Sequence, residues 1–292
     1  MADPSYDAAR HYDRVTRAWG LLLGDDLHYG LFATGTETLA EATRALTDRM
    51  VRAAAIEPDV EVLDVGCGTG TPACVLTRDH GARVTGITTS PVGVEAATAR
   101  AVAAGVGGLA RFEVRDGTDN GYPDASFDRV WVLESSHLMR ARGRLIAECA
   151  RVLRPGGVLA LCDIVLRRPL SFSDVRRLRE PLTLLRHVFG DAHMEPLGRY
   201  AELAEEHGLV VDGLTDLTAA TRPTFARWRD NARRHGDEVV ALLGEAGWAR
   251  FVDSCTVLEG LWDDGTLGYG LLAAHRGARE GHGPGDGRPD GS

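Results

Sequence analysis

The sequence lacks the features that would mark a membrane, nucleic-acid or secreted protein. No apolar run approaches the ~20 residues a helix needs to cross a bilayer, so no membrane partner is expected. Basic residues are in deficit: 33 Lys and Arg against 42 Asp and Glu leave a formal net charge of -9. Nucleic-acid binding requires a basic stripe that displaces counterions, and this balance offers none. The opening residues, Met1-Ala2-Asp3-Pro4-Ser5-Tyr6-Asp7, carry neither the basic stretch nor the apolar core of a secretory signal. The five cysteines, at 67, 74, 149, 162 and 255, are odd in number and scattered. They read as reduced small hydrophobes rather than disulfides or a metal site. No clustered ligand set supports a metal, and no internal repeat is evident. The expectation is a cytoplasmic protein whose partner is a small molecule.

What is present centres on Glu61-Val62-Leu63-Asp64-Val65-Gly66-Cys67-Gly68-Thr69-Gly70. This reads as a buried strand running into a glycine-rich turn and then a helix. Gly66, Gly68 and Gly70 allow a sharp bend and a close ligand approach. A loop of this kind after the first strand of a doubly wound sheet binds nucleotide-like ligands. The third glycine arrives one place too early for a dinucleotide fingerprint. Asp64, two residues before the first glycine, would repel a pyrophosphate on the helix N-terminus and suits a cationic ligand instead.

The rest of the chain alternates. A helix over 37–55 precedes the turn, with Leu39, Ala42, Ala45, Leu46 and Met50 at helical spacing. After it come a helix over 71–80, a strand over 83–87, a helix over about 92–104 and a strand over 111–114. A strand ending at Leu133 follows, then a helix over about 143–152, a breaker at Leu153-Arg154-Pro155-Gly156-Gly157 and a strand over 158–163. This alternation implies a parallel sheet. Residues 167–200 break the repeat and read as helical lid material leading into a helix over about 197–207. A sixth strand over 210–217, a long helical segment over 224–259 and a last strand over 268–275 complete the fold. The helical segment is too long for a plain crossover, which assigns it to the lid. Residues 6–32 include a helical stretch near Tyr6 and the aromatic turn Leu27-His28-Tyr29-Gly30-Leu31-Phe32, either a cap over the ligand or a core anchor. The domain reading is a helical cap over 1–50, a ligand-binding core over 51–166, and lid helices with strand six over 167–267. The last core strand covers 268–276, and a disordered tail covers 277–292.

His137 falls just past the carboxyl end of the fourth strand, where the cleft opens, and an imidazole with pKa near ~6.5 suits proton removal at neutral pH. Asp163, at the end of strand five, reaches the same rim and could orient the ring. His28, His187 and His193 are weaker candidates. Asp116-Gly117 places a carboxylate where an adenine amino group could be met. The arginines at 167, 168, 176, 177, 179 and 186 read as a solvated face.

"VLDVGCGTG", "LHYGLF", "GITTSP", "LESSHLM" and "LRPGGVLALCD" together resemble the class I S-adenosylmethionine-dependent small-molecule methyltransferases of bacterial natural-product biosynthesis. Among these the chain looks most like sugar O-methyltransferases and like relatives acting on macrolide, ansamycin or mitomycin-type scaffolds. The resemblance covers residues 6–166 well and the remainder loosely. It implies a Rossmann-like α/β fold: a mostly parallel seven-stranded sheet with helices on both faces and a helical lid. It implies S-adenosyl-L-methionine as cofactor, leaving as S-adenosyl-L-homocysteine. Tyr29, Asp64, Gly66, Cys67, Gly68, Thr88, Thr89, Ser90, Asp116, Gly117, Leu133, Glu134 and Ser135 would bind it. In the sugar O-methyltransferases the residue matching His137 is the base, with a partner acid matching Asp163. Two departures stand out: Thr88 replaces the acid that usually holds the ribose hydroxyls, and Gly93 stands where relatives often carry Gln. The implied activity is methyl transfer to a hydroxyl of a bulky secondary metabolite by in-line displacement. N- or C-methylation, or a methyltransferase fold repurposed for cyclisation, remain open.

Overall fold

Short uninterrupted apolar runs fold as strands buried on both faces, and their two-residue period decides which helical layer each side chain meets. The computed structural model describes residues 17–278. The helical stretch expected near Tyr6 and residues 279–292 of the tail lie outside them. Seven strands make one sheet: β1 (Glu61–Val65), β2 (Arg83–Thr88), β3 (Ala110–Val114), β4 (Phe127–Leu133), β5 (Leu153–Leu166), β6 (Leu209–Asp216) and β7 (Leu267–Arg276). Their order is β3-β2-β1-β4-β5-β7-β6, with β7 antiparallel to both neighbours and every other pair parallel. The order reverses between β1 and β4, which opens a crevice at their carboxyl ends.

Val62, Trp131, Leu133, Ala160 and Cys162 face one core, shared with helices Leu39–Ala53, Thr71–His80, Thr224–Arg234 and Gly236–Asp263. Leu63, Val65, Val130, Val132, Leu159 and Leu161 face the other, against helices Arg142–Val152 and Leu197–Glu206. Each fully buried Leu or Val contributes roughly 1.5–3 kcal/mol relative to exposure. The helix at Leu39 starts at a capping box. Thr38 Oγ1 accepts the Glu41 N–H, and the Glu41 carboxylate accepts the Thr38 N–H at 2.8 Å. Among the described residues, no helix is long and apolar enough to cross a membrane.

Two elements differ from the sequence reading. The Leu153–Gly157 stretch does not separate a helix from β5 but is the start of that strand. The pairing register with β4 shifts between Phe127 and Arg129, and Gly156 takes a φ of 78° there. The bend is therefore accommodated as an irregularity inside the ladder. The long segment expected over 224–259 is two helices broken at His235, and the second is kinked at Gly244, which is left-handed in φ.

The aromatic turn joins the first core. Tyr29 stacks on Trp262 with ring centroids 5.5 Å apart and meets Phe225, Trp228 and Tyr269 edge-on or tilted. Backbone bonds fasten it to the C-terminal helices: the Gly30 N–H donates to Thr224 Oγ1 at 3.1 Å, and the Phe32 N–H to Ala220 O at 2.8 Å. Trp19, Leu22 and Leu23 are buried in the same cluster.

Candidate active site

The turn after β1 is left-handed at Gly66 (φ 81°), Gly68 (54°) and Gly70 (78°), a conformation costly to any residue with a Cβ. The three glycines serve different ends. A Cβ on Gly66 would fall 2.2 Å from Ser135 Cβ, and one on Gly70 2.7 Å from Ala97 Cβ. At these two positions a side chain would meet the protein itself. A Cβ on Gly68 would meet nothing within 4 Å. Gly68 keeps a space open.

That space belongs to a cavity of about 960 Å³ at the carboxyl ends of β1, β2, β3 and β4. All the residues expected to contact the cofactor line it: Tyr29, Asp64, Gly66, Cys67, Gly68, Thr88, Thr89, Ser90, Asp116, Gly117, Leu133, Glu134 and Ser135. Asp64 is 3 % exposed, and its Oδ2 has no hydrogen-bond partner among the described residues. Burial alone pushes its carboxyl up to about 7. An orphaned buried carboxylate of this kind fits a cationic ligand. Thr88 Oγ1 accepts the Ser90 N–H at 3.2 Å, and Ser90 Oγ caps the next helix by accepting from the Gly93 N–H at 2.9 Å. Asp116 Oδ1 accepts from the Thr118 N–H and hydroxyl, both at 2.8 Å, so the residue also works as a turn former. Cys67 is buried, and burial raises its thiol well above the ordinary range.

Ser135 Oγ donates to Val65 O at 2.6 Å and so ties the end of β4 to the end of β1. Glu134, beside it, has a φ of 49°, rare for a residue with a long side chain. Its carboxylate accepts the Tyr29 N–H at 2.7 Å and the Tyr269 hydroxyl. Burial pushes Glu134 up to about 8, with Asp163 adding to the rise and the two donors opposing it.

His137 lies on a short 3-10 turn, Ser136–Leu138, and lines the cavity, whereas Asp163 sits behind it with no exposure. His137 Nδ1 is 2.6 Å from Asp163 Oδ1, and the His137 backbone N–H donates to Asp163 Oδ2 at 3.0 Å. Ser136 Oγ adds a donor at 2.5 Å, and the Ile164 N–H another at 2.7 Å. Burial pushes Asp163 up, but the His137 charge and these hydrogen bonds outweigh it and hold the carboxyl below its ordinary range. An ionised Asp163 only accepts, so Nδ1 always carries a proton, and in the neutral ring the lone pair lies on Nε2.

The other histidines are placed less favourably. His28 lines the cavity, but its Nδ1 bonds Tyr29 O at 2.8 Å and its Nε2 contacts Thr47 Oγ1 at 3.4 Å. Burial lowers its pKa. His187 bonds Thr183 O within its own helix and does not line the cavity. His193 lines the cavity, and its backbone N–H donates to His137 O at 2.7 Å. Sequence reasoning missed the apolar wall opposite β4, where Leu178, Leu182, Leu185 and Phe189 join Leu258 and Leu261. Helical periodicity shows that these residues pack; it does not show that they pack around a space.

The chain is similar to known methyltransferases in sequence and to solved structures in fold. A family model described as "Methyltransferase domain" matches residues 63–161. The 27-O-demethylrifamycin SV methyltransferase of Amycolatopsis mediterranei is 35 % identical over 92 % of this chain and 97 % of its own. Methyltransferase GfsG of Streptomyces halstedii is 33 % identical over 92 % and 94 %. Among solved structures, the [4+2]-cyclase SpnF aligns with a TM-score of 0.79 and 27 % identity over 92 % of this chain and 96 % of that one.

Proposed function

This chain belongs to the S-adenosylmethionine-dependent methyltransferases, and we propose that it methylates a hydroxyl of a bulky, largely apolar natural product with His137 as general base. The observation that carries the reading is the 2.6 Å contact between His137 Nδ1 and buried Asp163, which leaves Nε2 as the acceptor on a cavity wall. When bound, S-adenosylmethionine supplies a methyl group activated on a sulfonium. Asp64 would meet the cationic part of the cofactor, Gly68 would admit it, and Thr88 to Ser90 with Asp116 would hold its nucleoside end. His137 Nε2 takes the proton of the acceptor hydroxyl, and Asp163 stabilises the imidazolium that forms. Alignment contributes up to ~7–11 kcal/mol and the base about 10²–10⁴-fold, so loss of the base cripples turnover without abolishing cofactor binding.

Within the described residues we assign 17–50 as a cap fastened to the first core, 51–166 as the cofactor-binding core, and helices Phe172–Arg177 and Arg179–Phe189, with the cavity-facing part of Gly236–Asp263, as a lid over the acceptor. Leu178, Leu182 and Leu185 on the cavity wall support this reading, because an apolar wall suits an apolar acceptor. The test is transfer of a radiolabelled methyl group to a panel of hydroxyl- and amine-bearing macrolides and ansamycins. We expect label on a hydroxyl, and His137→Ala to lower it by at least ~10²-fold with cofactor binding retained. Undiminished transfer by the variant would refute the base. The likeness to a [4+2]-cyclase favours a second reading, in which the cofactor is only structural. Its mark would be cofactor binding with no accumulation of S-adenosylhomocysteine on any acceptor.

A further inference from the structure

Three polar side chains behind the His137–Asp163 pair are buried and do not line the cavity: Ser136 and Tyr200 have no exposure and Arg142 has 5 %. Arg142 Nε lies 2.9 Å from Tyr200 Oη, Tyr200 Oη 2.8 Å from Ser136 Oγ, and Ser136 Oγ 2.5 Å from Asp163 Oδ2. The direction of this chain is fixed by its ends. A guanidinium has only donors and a carboxylate only acceptors. The single Ser136 proton goes to Asp163, so Tyr200 donates to Ser136 and receives from Arg142. A second branch closes the circuit. Another Arg142 nitrogen donates to His193 O, and the His193 N–H donates to His137 O at 2.7 Å. One loop of hydrogen bonds thus runs from helix Arg142–Val152 through helix Leu197–Glu206, β5, the 3-10 turn and the 190–196 segment.

We propose that Arg142, Tyr200 and Ser136 are positioning residues that saturate Asp163 Oδ2, keep Asp163 ionised, and so fix His137 with its proton on Nδ1 and its lone pair toward the cavity. The inference rests on the general-base reading of His137. Oδ2 receives two donors, from Ser136 and the His137 backbone, which leaves Oδ1 directed at the imidazole. Polarised chains of this kind strengthen each link in a low-dielectric interior. The buried Arg142 guanidinium places a positive charge at the far end of this chain from Asp163. Arg142 additionally couples the cavity wall at His193 to the base, because both branches start from one side chain.

The sign of the effect follows from the donors. An Asp163 stripped of a donor is solvated less well and holds an imidazolium more tightly, so the pair keeps its proton to higher pH. Loss of the Arg142 charge acts in the same direction. Other titratable groups also feel Asp163: Glu134 at the end of β4, Cys162 on β5, Tyr269 on β7, Tyr29 in the aromatic turn, and Tyr200 itself. His193, beside Asp191 at 3.5 Å, flanks the pair from the 190–196 segment. Glu134, pushed up to about 8, is the one whose own titration near neutral pH would be felt by the pair.

The experiment is NMR titration of the His137 ring in ¹⁵N-histidine-labelled protein saturated with S-adenosylhomocysteine, with the resonance identified by its loss in His137→Gln. Wild-type protein should show the Nδ1–H tautomer. Ser136→Ala, Tyr200→Phe and Arg142→Gln should each raise the midpoint of protonation by about one pH unit, and should do so equally in a Glu134→Gln background. Binding of S-adenosylhomocysteine reports that each variant is folded. Ser136→Ala, the smallest change, carries the test if the others do not fold. A midpoint and tautomer unchanged in folded variants, whatever their melting temperatures, would overturn the proposal. A shifted midpoint together with undiminished methyl transfer by His137→Ala would overturn the general-base reading and leave the network standing.

Discussion

A Cβ placed on Gly66 would lie 2.2 Å from the Cβ of Ser135, so Gly66 is the point where the ends of β1 and β4 touch. The contact is secured by the Ser135 hydroxyl, which donates to Val65 O. The neighbouring Gly68 touches nothing and fronts the cavity. The two glycines should therefore fail in different ways. Gly66→Ala should lower stability by about 1–3 kcal/mol from overpacking, with roughly 1–2 kcal/mol more from the left-handed backbone. Gly68→Val should fold, at the cost of the backbone term alone, and lose S-adenosylmethionine affinity by more than ~10-fold. Urea unfolding and calorimetric titration separate the outcomes. A Gly68→Val protein with normal affinity would contradict the placing of the cofactor over this turn.

Asp163→Asn tests the pair from its buried side. The carboxylate accepts four protein donors, and an amide of the same shape must turn an N–H toward at least one of them. We expect kcat to fall by about 10²–10⁴-fold, because the wrong tautomer puts the proton on Nε2. Stability should fall as well. Because the folded carboxyl is held below its ordinary range, its contribution is present at neutral pH and is lost as the pH drops through that depressed value. The difference in melting temperature between wild type and Asp163→Asn should thus be large at pH 7 and shrink toward pH 3.

Much of this was legible in the chain itself, for physical reasons. The short apolar runs at 61–65, 127–133 and 158–163 impose strands, and parallel strands deliver their carboxyl ends to one rim. That is why His137 and Asp163 meet although 26 positions separate them. The buttress behind them was not legible. Tyr200 occupies a core position of an amphipathic helix, and periodicity says only that it is buried. Its bond to Ser136 depends on how that helix seats against β6, β7 and helix Arg142–Val152. The bend at Gly156-Gly157 was misjudged because a glycine pair breaks a strand in isolation, whereas here β4 pairs with Leu153 before it and again from Val158 after it, so the strand runs on across the irregularity.

Tyr29 allows the roles of cap and core anchor to be separated. Its ring is 2 % exposed among Phe225, Trp228, Trp262 and Tyr269, yet it also edges the cavity. Tyr29→Ala should cost about 3–5 kcal/mol, as for other large aromatic truncations in a packed core. The Glu134 contact would survive, since it uses the Tyr29 backbone N–H. If chemical denaturation shows a loss below ~1 kcal/mol, the turn is a flap and not part of the core.

Asp64 links cofactor affinity, stability and pH. Burial raises its carboxyl from the ordinary 3.8 to about 7, and one oxygen has no partner among the described residues. In the ligand-free protein the advantage of the neutral acid is fully present below pH 3.8 and is lost as the pH rises through about 7. Above that the fold carries an unpaired buried charge. Asp64→Asn should therefore stabilise ligand-free protein at pH 8.5, by on the order of 1–4 kcal/mol. The same substitution should weaken S-adenosylmethionine binding, because the cationic ligand loses its counter-charge. In wild type the affinity should rise about tenfold per pH unit up to about pH 7 and level off beyond it, since binding to the anion must expel the carboxyl proton. The variant should show no such slope. Calorimetric titrations of both proteins from pH 5.5 to 8.5 measure it. A slope that persists in Asp64→Asn would assign the proton to another group, with Glu134, pushed up to about 8, the next to examine.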